Sequence, residues 1–336
     1  MNRPNRPDGL VIRTREAFLR NGIPLDAPTV LGVSGGMDSM SLLHALWELR
    51  VPVEARHVNY GLRGADSDTD EAAVRATCDR LGIPLRVHRA DPPPSPAPDG
   101  LQAWARRIRT SFLSTSTSTS SSTSTSTSTS TSSSYITAHH ADDQTETVLL
   151  HLLRAADPLA LAGMRELSAD GCHFRPWLQE TRAEIQRYAT ARSVDWREDA
   201  SNQSQVYLRN RIRHEVVPLL EALRPGAAAH VAQLAQRFAP LADAAERAVA
   251  EAEAGCVVWD AAGNCTVDVV RWRAESLRNE VLVRAVAALG GEARVAEAIG
   301  RLAGEEVEGG KGLVTAGLQA RRERHTLRIE RRLSPP

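Results

Sequence analysis

Short apolar runs alternate with segments of helical periodicity over the first half of the chain. Thr29 to Val33 (TVLGV) reads as a buried strand, and Ser39 to Leu49 as a helix with Leu42, Leu43, Leu46 and Leu49 on one stripe. A strand over Val53 to Val58 follows, then a helix over Asp66 to Leu81 ended by Gly82 and Pro84. Leu85 to His88 is a third strand, Leu101 to Leu113 a helix, Tyr135 to Ala138 a short strand and Ala141 to Arg154 a helix. Such alternation predicts an α/β fold, a parallel sheet with helices on both faces. Ligands of such sheets lie at the carboxyl ends of the strands.

The pattern changes after Pro225. Ala227 to Ala254 is alanine-rich and long enough for one extended helix, followed by strand-like pieces at Cys256 to Trp259 and Cys265 to Val270. Helices are expected over Arg271 to Leu289 and Ala293 to Ala303, and a hairpin from Leu313 to Ala320 and Thr326 to Glu330. The stretch Pro218 to Pro225 is the expected boundary. It separates a catalytic domain over 1–220 from a smaller, mainly helical domain over 225–336. One segment breaks the pattern: Ser114 to Ser134 contains only serine and threonine and can bury no apolar face.

Composition bounds the function without choosing it. The chain has 336 residues, 42% hydrophobic and 24% charged, as expected of two soluble domains. Formal net charge is zero, so nucleic acid would have to be held by local basic clusters. Nearly all positive charge is arginine, with Lys311 the single lysine. Cys78, Cys172, Cys256 and Cys265 stand far apart without a C-x-x-C pair, which argues against a zinc ribbon, a thioredoxin-type site and a disulfide scaffold. No stretch has the apolar length of a signal peptide or a membrane span, so the expected location is cytoplasmic.

Two motifs carry chemistry. The strand TVLGV runs directly into Ser34, Gly35, Gly36, Met37, Asp38 and Ser39 and then a helix. Glycines allow a tight turn and close approach to an anion, while the serine hydroxyls and the free N–H groups of the helix start supply donors. Asp38 makes sense in an anion site once Mg²⁺ is included as its ligand. The Walker-type and dinucleotide fingerprints are absent, so the loop is an anion cradle of another kind. In the second motif, YITAHHADDQTET, the residues His139, Asp142, Asp143 and Glu146 are spaced to share one helix face. That row suits metal ligation, general-base work or capture of a cationic amine; it equally suits a solvated helix start.

The first loop closely resembles that of the N-type ATP pyrophosphatases, the PP-loop superfamily with its Rossmann-like sheet. Taken in order, SGGMDSMSLLHAL, HVNYGLRGADSDTDE, AWARRIR, TAHHADDQTETVLLHLLR, LAGM, RPWL and DWREDASNQSQVYLRNRIRHEVVPLL resemble the tRNA(Ile)-lysidine synthases from about Val30 to Leu220. The resemblance implies a ligase that adenylates the wobble cytidine of tRNA(Ile) bearing a CAU anticodon. L-Lysine then displaces AMP, which changes the codon read from AUG to AUA. It assigns Ser34 to Ser39 to ATP, with Asp38 at Mg²⁺, and His139, Asp142, Asp143 and Glu146 to adenylation and lysine handling. Arg106 and Arg109 would lie near phosphates or the target base, and Arg209, Asn210, Arg211 and Arg213 along tRNA phosphates. The smaller domain would contribute to substrate or tRNA binding. Trp196 is expected to pack rather than to stack on a base.

Alternatives are another adenylating tRNA modifier such as a thiolase, although thiolases usually bring cysteine pairs, or an inactive nucleotide- or RNA-binding module. Three positions depart from the family pattern. Thr110 stands where tyrosine is usual, Ala155 where glycine is usual, and the serine–threonine run occupies the length of a helix and loop. Because that length is kept, replacement of the helix is favoured over an insertion.

Overall fold

The computed structural model describes residues 8–91, 93, 100–115, 134–154, 158–197, 208–291, 293–304, 310–315 and 317–332. The expectations for Ala155 and for most of the serine–threonine run lie outside the described residues. By their internal contacts the residues form two compact units, Met1–Ala239 and Pro240–Pro336.

In the first unit the elements run α1 (Gly9–Arg20), β1 (Thr29–Gly32), α2 (Met37–Glu48), β2 (Val53–Asn59), α3 (Ala65–Leu81) and β3 (Leu85–Arg89). They continue with α4 (Leu101–Ser114), β4 (Tyr135–Ile136), α5 (Ala141–Leu153), β5 (His173–Phe174) and α6 (Arg182–Ala191). The sheet order is β3-β2-β1-β4-β5 with every pairing parallel. The chain winds outward from β1 through β2 to β3, then returns to β4 on the other side of β1. That reversal opens a crevice at the carboxyl ends of β1 and β4, the place where open α/β sheets bind ligands.

Packing explains why the strands take this arrangement. Val30 and Leu31 of β1 are buried on opposite faces of the sheet, as a central parallel strand requires. Leu42, Leu43 and Leu46 of α2 are wholly enclosed, together with Val74 and Cys78 of α3. Gly32 ends β1 where a Cβ would meet Leu113 of α4 at 2.9 Å, so the absent side chain lets α4 approach. Helix α1 was not foreseen from the pattern. Asp8 caps it through Leu10 N–H, and Phe18 meets Phe174 edge to face at 5.0 Å. Trp177, from RPWL, is fully buried and donates its indole N–H to Thr14 at 2.8 Å.

A helical segment closes this unit: α7 (Leu208–Arg211), a π-helical turn over Ile212–Val216, and α8 (Val217–Leu223). Helix α9 (Ala227–Cys256) follows, with Pro240 inside it. The second unit holds β6 (Val257–Trp259), β7 (Cys265–Asp268), α10 (Val269–Ala274), α11 (Arg278–Ala288) and α12 (Ala293–Gly304). It ends with β8 (Lys311–Val314), β9 (Leu318–Arg322) and β10 (Thr326–Arg331), in an antiparallel sheet of order β6-β7-β10-β9-β8. Two details differ from the pattern reading. The helix expected over 271–289 is two helices, because the chain leaves α10 after Ala274, where Glu275 is extended and its N–H bonds back to Trp272, and resumes at Arg278. The strand expected over 313–320 folds into a hairpin of its own, closed by Thr315 bonding to Leu318. No helix among the described residues is long and apolar enough to cross a membrane.

Candidate active site

A cavity of about 850 Å³ opens at the carboxyl ends of β1 and β4, lined by the whole Ser34–Ser39 loop and by Thr137, His139 and Asp143. Gly35 has φ of 90°, a conformation that favours glycine, and Gly36 precedes α2 without capping it through a side chain. The first N–H groups of α2 are therefore left for a ligand. Hydroxyls brace the turn. Ser39 Oγ donates to Gly36 O at 3.1 Å and accepts from Ser34 N–H at 3.1 Å, while Ser34 Oγ accepts from Gly36 N–H at 3.3 Å. Asp38 Oδ1 is buried and without a hydrogen-bond partner. An unpartnered carboxylate oxygen beside an anion cradle fits Mg²⁺, which would supply charge neutralisation for the phosphates when bound. Among the described residues no group of three or more His, Cys, Asp or Glu could hold a metal ion. Asp38 would therefore have to share the cation with phosphate oxygens and water.

The loop after β4 brings the second motif to the same place, though not in the expected arrangement. Helix α5 begins only at Ala141, so His139 lies in the strand–helix loop rather than on a helix face with the acids. His140 is instead the connecting residue. Its ring is buried, with Nε2 3.4 Å from Asp143 and 3.7 Å from Asp38, and Nδ1 3.5 Å from Asp142. Burial alone would lower its pKa, but Asp143, Asp142 and Asp38 outweigh that and raise it to about 10. His140 is thus an imidazolium that ties the Ser34–Ser39 loop to the acidic helix. The spacing argument chose His139 because it treated both histidines as helical; the HH doublet itself was the available signal.

The acids have distinct surroundings. Asp142 accepts from the Arg182 N–H at 2.9 Å and so joins α5 to the start of α6. Asp143 accepts from the His140 N–H at 3.1 Å and lies 3.3 Å from Arg213 and 3.4 Å from Arg209. Burial pushes its pKa up, yet His140 and Arg209 among its neighbours hold it below the ordinary carboxylate range. Glu146 is 2% exposed and receives Arg209 Nε at 2.7 Å, Arg213 Nη2 at 3.1 Å and Arg213 Nε. Glu146 does not line the cavity; Arg213, which it holds, does. The π-helical turn begins at Ile212, between these two arginines, and such turns recur where a helix must re-aim side chains at a site.

The remaining basic residues divide. Arg109 lines the cavity from α4, whereas Arg106 is exposed on the same helix outside it. Arg211 is exposed and pairs with Glu215 at 3.0 Å, and Asn210 is half-buried. Thr110 is exposed on α4. Trp196 packs against the first core and also borders the cavity. Two basic residues that were not singled out from sequence lie beside the ATP loop. Asp70 holds Arg63 at 2.6 Å and Arg197 at 2.7 Å, and Arg197 N–H bonds to Gly35 O at 3.1 Å. Both stand inside the quoted blocks HVNYGLRG and DWRED, but only the fold brings those blocks together.

A model of the ATP-binding PP-loop domain matches residues 15–220, more than half of the chain. The chain belongs to the PP-loop family. The Ser34–Ser39 segment lies within the matched residues. The chain is 36% identical over 295 residues to a tRNA(Ile)-lysidine synthase of Geobacter sulfurreducens, covering 84% of this chain and 60% of that protein. It is 36% identical over 233 residues to the tRNA(Ile)-lysidine synthase of Rhodopirellula baltica, covering 62% of this chain and 56% of that one. The chain therefore spans somewhat over half the length of these relatives. Among solved structures, a U34-tRNA thiolase from Methanococcus maripaludis superposes with a TM-score of 0.53 at 16% identity, over 69% of this chain and 78% of that one. That likeness concerns the fold alone.

Proposed function

We propose that the chain is an ATP-dependent ligase that joins L-lysine to C2 of the wobble cytidine of tRNA(Ile) with a CAU anticodon. The cytidine O2 attacks the α-phosphorus of ATP and pyrophosphate leaves. The lysine ε-nitrogen then forms a bond to C2, and the C2–O bond breaks with release of AMP, which carries the oxygen away. The PP-loop amides, Ser34 and Ser39 bind the phosphates, and Asp38 would ligate Mg²⁺.

The observation that carries the lysine assignment is the charge of the cluster behind the loop. Asp38, Asp142, Asp143 and Glu146 surround three cations, His140, Arg209 and Arg213. With Asp38 assigned to Mg²⁺, Asp143 is the remaining carboxylate of this set that borders the cavity, where an ammonium group would meet it. Asp143, which borders the cavity, is the carboxylate assigned to the incoming amine, and Arg109 to the target base or its phosphate. The mild charge of the chain leaves tRNA affinity to such local arginines.

Incubation with ATP, tRNA(Ile) transcript and labelled lysine tests the reading. Pyrophosphate release should require the tRNA, and label should enter the tRNA. Asp38→Ala should abolish pyrophosphate release while leaving the unfolding transition in place. Tight ATP binding without turnover, or sulfur entering the tRNA in place of lysine, would overturn the assignment.

A further inference from the structure

Three side chains behind His139 form a hydrogen-bonded line. Arg175 Nη2 lies 2.7 Å from His173 Nδ1, His173 Nε2 lies 2.7 Å from Thr137 Oγ1, and Thr137 Oγ1 lies 2.7 Å from His139 Nδ1. Donor and acceptor roles follow from one end. A guanidinium only donates, so His173 Nδ1 must accept and carries no proton. The proton of His173 then sits on Nε2 and is donated to the Thr137 oxygen. The Thr137 hydroxyl has no other acceptor among the described residues, so its own proton goes to His139 Nδ1. His139 is left with its proton on Nε2, the ring nitrogen that no described residue engages through a hydrogen bond, in a residue that borders the cavity.

We propose that Arg175, His173 and Thr137 are positioning residues that fix His139 as the neutral Nε2–H tautomer, so that it serves as a hydrogen-bond donor to a substrate oxygen and not as a base. The inference rests on the ligase reading only for the identity of that oxygen, on the adenylated cytidine. Fixing a tautomer through the far ring nitrogen is a general device for histidines at reactive sites. The surroundings favour neutrality. Burial, then Arg175 and Arg109 among its neighbours, holds His173 down at about 3, with His139 and Arg106 also facing it. His139 is lowered to about 4 by burial, with Arg175, Arg109 and Arg209 lowering it further and Asp143 opposing them. Proton abstraction from the amine then falls to the carboxylates.

The geometry also separates two residues that sequence treats alike. His140, one position on, turns its ring nitrogens toward Asp38, Asp142 and Asp143, whereas the ring of His139 is held from behind through Thr137.

Long-range proton–nitrogen correlation spectra of the full chain labelled at histidine nitrogens test this without substrate. His139 is assigned by its loss in His139→Gln. The expected pattern at pH 7 is a protonated Nε2 and a bare Nδ1, persisting below pH 6. Thr137→Val should mix the two tautomers, and Thr137→Ser should restore the single one. In single turnover, Thr137→Val should slow AMP release on lysine addition about tenfold, the factor expected of one hydrogen bond, with Thr137→Ser recovering the rate. A protonated Nδ1 or an imidazolium at His139 in the unaltered chain at pH 7 would overturn the proposal. Because the spectra need no turnover, a chain that shows the expected tautomer yet ligates no lysine would refute the ligase reading alone.

Discussion

Glu146→Gln removes one charge from the most enclosed carboxylate of the cluster and keeps its shape. The wild-type group is 2% exposed and accepts three N–H bonds, two from Arg213 and one from Arg209. Breaking a wholly buried ion pair costs about 3–5 kcal/mol. Here the arginine side chains are 39% and 31% exposed, so water can take over part of their solvation. Glutamine also keeps one acceptor oxygen, and Asp143 remains near both guanidiniums. Those offsets bring the expected loss to about 2 kcal/mol, or a fall in Tm of roughly 4–8 °C. Urea unfolding of Glu146→Gln, Arg213→Met and the double variant measures it. The pair should couple by more than about 1 kcal/mol, since Arg213→Met has less to remove once the charge is gone. Additive losses, or a single-variant loss under about 0.5 kcal/mol, would show that Glu146 does not hold Arg213 in place.

Two further expectations concern the frame around the site. Gly163, in the LAGM segment, has φ of 61°, and a Cβ there would lie 2.6 Å from Gln144 Oε1. Gln144 is enclosed and grips both sides of that turn, accepting from Met164 N–H and donating to Met164 O and Ala162 O. Gly163→Ala should cost about 3 kcal/mol in chemical denaturation from the left-handed backbone and displaced hydrogen bonds, and Gln144→Ala added to it should cost less than it does alone. The second expectation is a pH dependence at Glu71. Burial would raise its pKa, but hydrogen bonds from Arg89, Asn59 and Arg75 outweigh it and lower it to about 2. A lowered folded pKa stabilises above the unfolded value and is lost as pH falls, so its contribution should fade between about pH 4.5 and about pH 2. Because Arg75 and Arg89 are largely exposed, that contribution is on the order of 1 kcal/mol. The stability gap between wild type and Glu71→Gln should narrow through that window, and a constant gap would contradict it.

Much of the catalytic unit was legible because its signals are local. A parallel strand buried on both faces is a continuous apolar run, so β1 and its glycine-rich exit could be read from TVLGVSGGMDS alone. The acidic helix α5 was visible in the same way, as were α2 and α3, whose periodic stripes need no partner to be recognised. Short strands and buried amphipathic pieces were harder. Strand β5 has two residues, and α1 owes its place to contacts of Phe18 and Thr14 with residues far along the chain.

What the sequence determined by itself was the identity of the candidate groups and the glycine-rich turn after β1, because backbone conformation there depends on glycine and on the helix that follows. Which groups act together was decided only by the tertiary structure. The crossover that returns β4 beside β1 sets His140 between Asp38 and Asp143 and gives it a charge that its neighbour His139 lacks. Asp70 meets Arg197, and Glu146 meets Arg209 and Arg213, across separations in sequence that no periodicity spans. Ionisation and tautomer depend on distance and burial through the folded interior, and those quantities exist only once the sheet has formed.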